Sequence, residues 1–268
     1  MLIMNRKLIT SRRQFISLPL APASWCSPPA VPVVGSGEAQ VWLARLDEEK
    51  AAGLEDILSD DERARAERFR FQRQKKQYIA ARGFLRIILG KYLEINPDQI
   101  SFEYNMHGKP SICGASRGKI RFNLSHSDGF ALYAVTGGRE IGVDLERLQP
   151  FLLDERTIAR CLTPLEIKRL QMLPTNERER FFFDCWTRKE SYLKACGQGL
   201  MVSPNQIETS SFSESPAAEV IKNDCETRQT HWSFQNLPPI PGHAAALAVE
   251  GSNVRLKFWL FHDALNDD

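Results

Sequence analysis

A chain of 268 residues, 43% of them hydrophobic, can bury one large core or two moderate ones. Its 35 Lys and Arg against 33 Asp and Glu leave a formal net charge of +2, an ordinary balance with no global signal for nucleic acid. The six cysteines form no C-x-x-C pair and the five histidines are scattered, which argues against zinc and for reduced thiols in a cytoplasmic protein.

Residues 1–37 contain no Asp or Glu and carry Arg6, Lys7, Arg12 and Arg13 among Ser, Pro and Ala. Ser11-Arg12-Arg13-Gln14-Phe15-Ile16 looks like a twin-arginine export signal, and an acid-free segment also suits a transit peptide. The apolar stretch that follows is short and broken by Pro19 and Pro22, so residues 1–37 read as a disordered extension. No apolar run approaches membrane-spanning length.

A first half is expected over 38–140. Val41 to Leu46 reads as a strand, and Ser59 with Glu62 forms a capping-box signature. A basic run from Arg63 to Lys76 leads into an amphipathic helix from Tyr78 to Leu93, with Leu85, Ile88, Leu89 and Tyr92 on its apolar stripe. Ile100 to Tyr104 reads as the next strand. Phe130 to Val135 and Ile141 to Leu145 are strands joined by the turn at Gly137-Gly138.

A second half is expected over 141–268. Thr163-Pro164-Leu165-Glu166 opens a capped helix, and a longer helix runs from Arg180 to Cys196. Setting Ser59 against Thr163 places Tyr78 on Phe182, Arg86 on Glu190 and Leu89 on Leu193 without a gap, the pattern of an ancient duplication. Strands near 230–234, 243–249 and 254–261 would complete the second sheet, and 209–219 reads as a surface loop.

The chemistry concentrates in this half. In Gly142-Val143-Asp144-Leu145-Glu146 the acids alternate with apolar residues, so Asp144 and Glu146 share one strand face. In Trp186-Thr187-Arg188-Lys189-Glu190-Ser191-Tyr192-Leu193-Lys194, Glu190 and Lys194 lie one helical turn apart. Read separately, these are a solvated sheet face and a surface ion pair. Read together, three carboxylates make an oxygen-rich pocket suited to Mg²⁺, and the adjacent lysine suggests a ligand that carries phosphate.

Gly108-Lys109-Pro110, then Phe122-Asn123-Leu124-Ser125-His126-Ser127, then the two stretches above stand in the order found in one family. From about Val41 to about Phe261 the chain resembles the larger, monomeric class of 4′-phosphopantetheinyl transferases. The resemblance implies an α+β fold of two similar halves related by a pseudo-twofold, with the active site in the cleft between them. It implies transfer of the phosphopantetheine arm of coenzyme A to a serine of an acyl, peptidyl or polyketide carrier protein that presents an acidic recognition helix.

The resemblance further implies that Asp144, Glu146 and Glu190 hold Mg²⁺, with Mn²⁺ fitting the same oxygens, and that Lys194 contacts the phosphates. Glu190 is the expected general base, with Glu146 acting through water as the alternative. Arg82 matches an arginine at the 3′-phosphate of coenzyme A, with Arg86 on the same helix face. Lys75 is the expected second cation, with Arg73 and Lys76 open. Lys109 is expected at the adenine, and Ser125 and His126 at the phosphates. Trp186 is expected to pack rather than to stack on adenine. A nucleic-acid-binding module, suggested by the basic run with Phe69 and Phe71, leaves the three acids unexplained, and a degenerate coenzyme A binder leaves every functional position filled for no purpose. No nucleic acid or membrane partner is expected, and a monomer is.

Overall fold

The computed structural model describes residues 24–149, 154–197, 202–209, 218–224 and 228–261. Strands β1 (Glu38–Arg45), β4 (Arg121–Ser127), β5 (Phe130–Thr136) and β10 (Arg255–Leu260) form one sheet in the order β10-β1-β5-β4. Strands β6 (Ile141–Arg147), β7 (Ala218–Asp224), β8 (Arg228–Asn236) and β9 (His243–Glu250) form another in the order β6-β9-β8-β7. A short hairpin of β2 (Phe102–Tyr104) and β3 (Pro110–Ile112) stands apart.

Each sheet buries both faces. Trp42 and Ala44 of β1 and Tyr133 and Val135 of β5 share a core with Phe84, Leu85, Ile88 and Leu89 of α2 (Gln72–Leu93). The opposite faces of the same strands, with Val41, Leu43, Leu132 and Ala134, pack against Val143, Leu145, Leu247 and Val249 of the second sheet. The second sheet then turns Trp232, Phe234 and Ala248 toward Tyr192 and Leu193 of α5 (Thr175–Cys196). The layers therefore run helix, sheet, sheet, helix.

The two long helices are each 22 residues and each is preceded by a short capped helix, α1 (Asp60–Ala66) and α4 (Pro164–Met172), while α3 (Glu155–Cys161) has no counterpart among the described residues. In both halves the capping glutamate is buried and does a second task. Glu62 closes the Ser59 capping box and takes Arg82 Nε and Arg86 Nε, both at 2.6 Å. Glu166 closes the Thr163 box, accepts from Thr209, and pairs with the buried ammonium of Lys189. Both glutamates are enclosed with each carboxylate oxygen bonded, the condition for burying an ion pair at all, while Arg86 Nη2 is buried without a hydrogen-bond partner.

Several expectations need correction. Strand β10 was expected in the second sheet but pairs parallel with β1 in the first, so the halves do not divide at a single point in the chain. Strands β5 and β6 are joined by the turn at Gly137-Gly138 as expected, and that turn carries the chain from one sheet to the other. Helices α2 and α5 begin earlier than their apolar stripes, at Gln72 and Thr175, because the first turns are exposed and polar. The expected extension lies outside the described residues only as far as 23. Cys26 exchanges backbone bonds with β10 (Cys26 N–H to Phe258 O, 3.0 Å; Leu260 N–H to Cys26 O, 2.8 Å), so the segment from 24 covers that sheet edge. Most of the 209–219 loop lies outside the described residues.

Where the sheets meet, β4 and β6 face each other as edges. They are joined through side chains: Val143 N–H donates to Asn123 Oδ1 (3.0 Å), Leu145 N–H to Ser125 Oγ (3.2 Å) and Arg147 N–H to Ser127 Oγ (3.1 Å). The regular step of two residues on each strand keeps all three on one face. Replacing Asn123 with Ala orphans the buried Val143 amide; urea denaturation should register a loss of about 1–3 kcal/mol with an unchanged slope.

Candidate active site

Helix α5 lies directly on β6 because residue 142 has no side chain. A Cβ there would stand 1.9 Å from Ser191 O and 2.5 Å from Ala195 N, both backbone atoms that cannot move aside. Gly142, Asp144 and Glu146 alternate onto the face that meets α5, so this approach delivers Glu190 and Lys194 to the two strand carboxylates.

At the centre is Asp144, only 2% exposed. Its Oδ1 accepts from Ser125 Oγ (3.1 Å) and from Lys194 Nζ (2.5 Å), while its Oδ2 is buried with no hydrogen-bond partner. Ser125 Oγ is saturated: it donates to Asp144 and accepts from Leu145 N–H and from Lys194 Nζ at 2.8 Å.

Glu146 is half-buried, and burial together with the charge of Asp144 raises its pKa above the usual carboxylate range. Lys194 and a hydrogen bond from the indole of Trp186 oppose that rise. Glu190 is pushed up to about 7, first by burial and then by Asp144, with Glu146 adding to it and Lys194 opposing. The three carboxylates thus feel one another, yet they do not close into a cage. Among the described residues, no three His, Cys, Asp or Glu side chains are arranged to hold a metal ion.

The remaining expected site residues scatter around this centre. His126 follows Ser125 on β4 with an exposed edge, and burial of its ring with the nearby Lys194 ammonium lowers its pKa, favouring neutral imidazole. Lys75 Nζ pairs with Glu67 at 2.7 Å, and that bond holds its pKa above the usual value. Arg82 is largely enclosed. It is 7% exposed, bound to Glu62 and Tyr104, with its guanidinium 4.7 Å from the Phe102 ring centroid. Arg86 is deeper, held by Glu62 and by the carbonyls of Pro97 and Ile100.

Lys109 reaches across to the second half, donating to Glu140 Oε2 (2.7 Å) and to Ala195 O (2.6 Å) at the end of α5. Asn105 donates to Gly197 O beside it (2.7 Å). Together with Arg121 and Cys196 they line a depression of about 180 Å³. Trp186 packs against Phe182 and Leu170 as expected, and its bond to Glu146 is an addition.

The sequence reading missed the structural work of Asn123 and Ser127, although polar residues at every second position of Phe122–Ser127 carried the signal. It also missed that Gly142 admits a helix, which only the packing partner reveals.

Residues 43–137 match the family described as 4′-phosphopantetheinyl transferase, N-terminal, and residues 140–249 match the 4′-phosphopantetheinyl transferase superfamily. The chain is 38% identical over 240 residues to 4′-phosphopantetheinyl transferase HetI of Nostoc sp., covering 88% of this chain and 98% of that protein. The chain belongs to the 4′-phosphopantetheinyl transferases. The boundary between the two matched stretches falls at the turn that carries this transferase from its first sheet to its second. More distant similarity extends to 4′-phosphopantetheinyl transferase psf-1 of Bacillus pumilus, 30% identical over 164 residues covering 60% of this chain and 68% of that one. The L-aminoadipate-semialdehyde dehydrogenase-phosphopantetheinyl transferase of Xenopus laevis is 28% identical over 211 residues, covering 72% and 68%. Among the described residues of this transferase, no helix is long and apolar enough to cross a membrane.

A carboxyl whose pKa is raised by folding binds its proton more tightly in the native state, so it burdens stability above that pKa and the burden lifts as pH falls. The rise at Glu190 to about 7 is worth about 3 kcal/mol in full, and partial exposure cuts this to about 1–2 kcal/mol. In EDTA, Glu190→Gln should therefore raise the melting temperature at pH 8, with the gain shrinking as pH falls from 7 to 5.

Proposed function

We propose that this enzyme transfers the 4′-phosphopantetheine arm of coenzyme A to a serine hydroxyl of an acyl, peptidyl or polyketide carrier protein in the cytoplasm, with Mg²⁺ held by Asp144, Glu146 and Glu190. The observation that carries the metal assignment is Asp144 Oδ2, a buried carboxylate oxygen without a partner, beside two carboxylates whose pKa values are raised first by burial and then by the charge of Asp144. Such a donor set fits a hard dication that takes oxygen ligands. When bound, Mg²⁺ or Mn²⁺ supplies charge neutralisation at the pyrophosphate of coenzyme A.

The chain's own groups do the rest by position and charge. Glu190, poised at about 7, accepts the serine proton directly or through water, and Glu146 is the alternative acceptor. The serine oxygen attacks the phosphorus that bears the pantetheine arm, the pyrophosphate P–O bond breaks, and adenosine 3′,5′-bisphosphate leaves with the electron pair. Lys194 stabilises the leaving phosphate. His126, neutral near pH 7, offers a ring nitrogen to a phosphate oxygen, and Ser125 orients Lys194 and Asp144.

Lys75 is free to leave its exposed carboxylate partner for the 3′-phosphate, whereas Arg82 contributes there only if it gives up Glu62. Lys109 sets the hairpin wall of the adenine end. An acidic carrier helix has a complementary field in the exposed Arg65, Arg68, Arg70 and Arg73.

Intact-mass analysis of an apo carrier incubated with enzyme, coenzyme A and Mg²⁺ should show a gain of roughly 340 Da, absent with EDTA. No gain with any of several carriers would sink the reading. Glu190→Gln should lower kcat by about 10²–10⁴-fold. Because the base must be ionised, kcat/KM should fall as pH drops below its pKa, and raising Mg²⁺ should move that fall to lower pH by favouring the carboxylate.

A further inference from the structure

The acidic cluster already contains a cation. Lys194 sits 2.5 Å from Asp144 Oδ1 and 2.8 Å from Ser125 Oγ, and its side chain is 31% exposed, so its flexible stem has a path into the cleft. We propose that Lys194 is the resident counter-ion of this cluster, and that a divalent cation binding at Asp144 displaces its ammonium and frees it for the phosphates of coenzyme A. The inference rests on the metal assignment above.

Three features support it. Two positive charges on one buried carboxylate repel strongly where water is scarce, so the ammonium and a dication cannot both occupy Asp144. The carboxylate is asymmetric: Oδ1 is engaged and Oδ2 is not, so a dication can take Oδ2 without breaking a hydrogen bond at that oxygen. Ser125 keeps its bonds to Asp144 and to the Leu145 amide when the lysine departs, so the seam between the sheets stays intact. Lys194 is therefore withheld from anions until the dication arrives, which makes binding of the metal and of a phosphate ligand mutually reinforcing.

The test is a Mn²⁺ titration followed by EPR of the free ion, on the full chain without coenzyme A, for wild type, Lys194→Met and Lys194→Arg. Thermal melts establish that each variant is folded. Removing the competing cation should tighten Mn²⁺ binding about tenfold in Lys194→Met, while Lys194→Arg, which keeps the charge, should stay within about twofold of wild type. Equal or weaker binding by Lys194→Met overturns the displacement. Absence of Mn²⁺ binding by every form overturns the metal assignment itself. A second reading needs no variant: acetylation of Lys194 in the wild type, followed by mass spectrometry, should rise on adding Mn²⁺, and unchanged reactivity counts against the proposal.

Discussion

The free edge of a β-strand is a row of amides that must find acceptors, and β6 finds them in Asn123, Ser125 and Ser127 rather than in another backbone. Side chains reach farther than a carbonyl, so the two sheets are joined at a seam instead of merging into one continuous sheet. Ser125 belongs to the seam and to the acidic cluster at once, since its hydroxyl also touches Asp144 and Lys194. The position of the cluster relative to the first half is therefore fixed by the same bonds that hold the halves together.

Gly142 supplies the other constraint. Helix α5 can bring Glu190 and Lys194 to the strand carboxylates only where its backbone nearly touches β6. Burial there, and after it the charge of Asp144, makes Glu146 and Glu190 hold their protons more tightly than free carboxyls. The rest of the molecule has to outweigh that cost. Buried, fully partnered anchors such as Glu166 with Lys189, one residue before Glu190, hold the helix where the repulsion would otherwise push it away.

Much of this was legible in the chain. Alternation in Ile141–Glu146 placed both acids on one face, and helical spacing placed Glu190 and Lys194 together. The two capping boxes were visible as Ser59-Glu62 and Thr163-Glu166. What could not be read were decisions made by distant partners. Nothing in the sequence tells that Glu62 holds Arg82 and Arg86, or that the end of α5 stands beside Lys109. Nor does an amphipathic strand state which sheet it joins, so β10 was assigned to its sequence neighbours rather than to β1.

That last pairing bears on how the molecule is made. Strand β1 is translated before β10, its parallel neighbour, with β6 to β9 and all of α5 made in between. The first sheet therefore stays open on one side, with Val41 and Trp42 lacking one of their two flanking strands, until β10 has been translated. Closing it requires a contact of very high sequence separation, a slow kind of step. The first half therefore cannot complete its sheet as an independent unit, and the nascent chain carries an open strand edge while β6 to β9 are made.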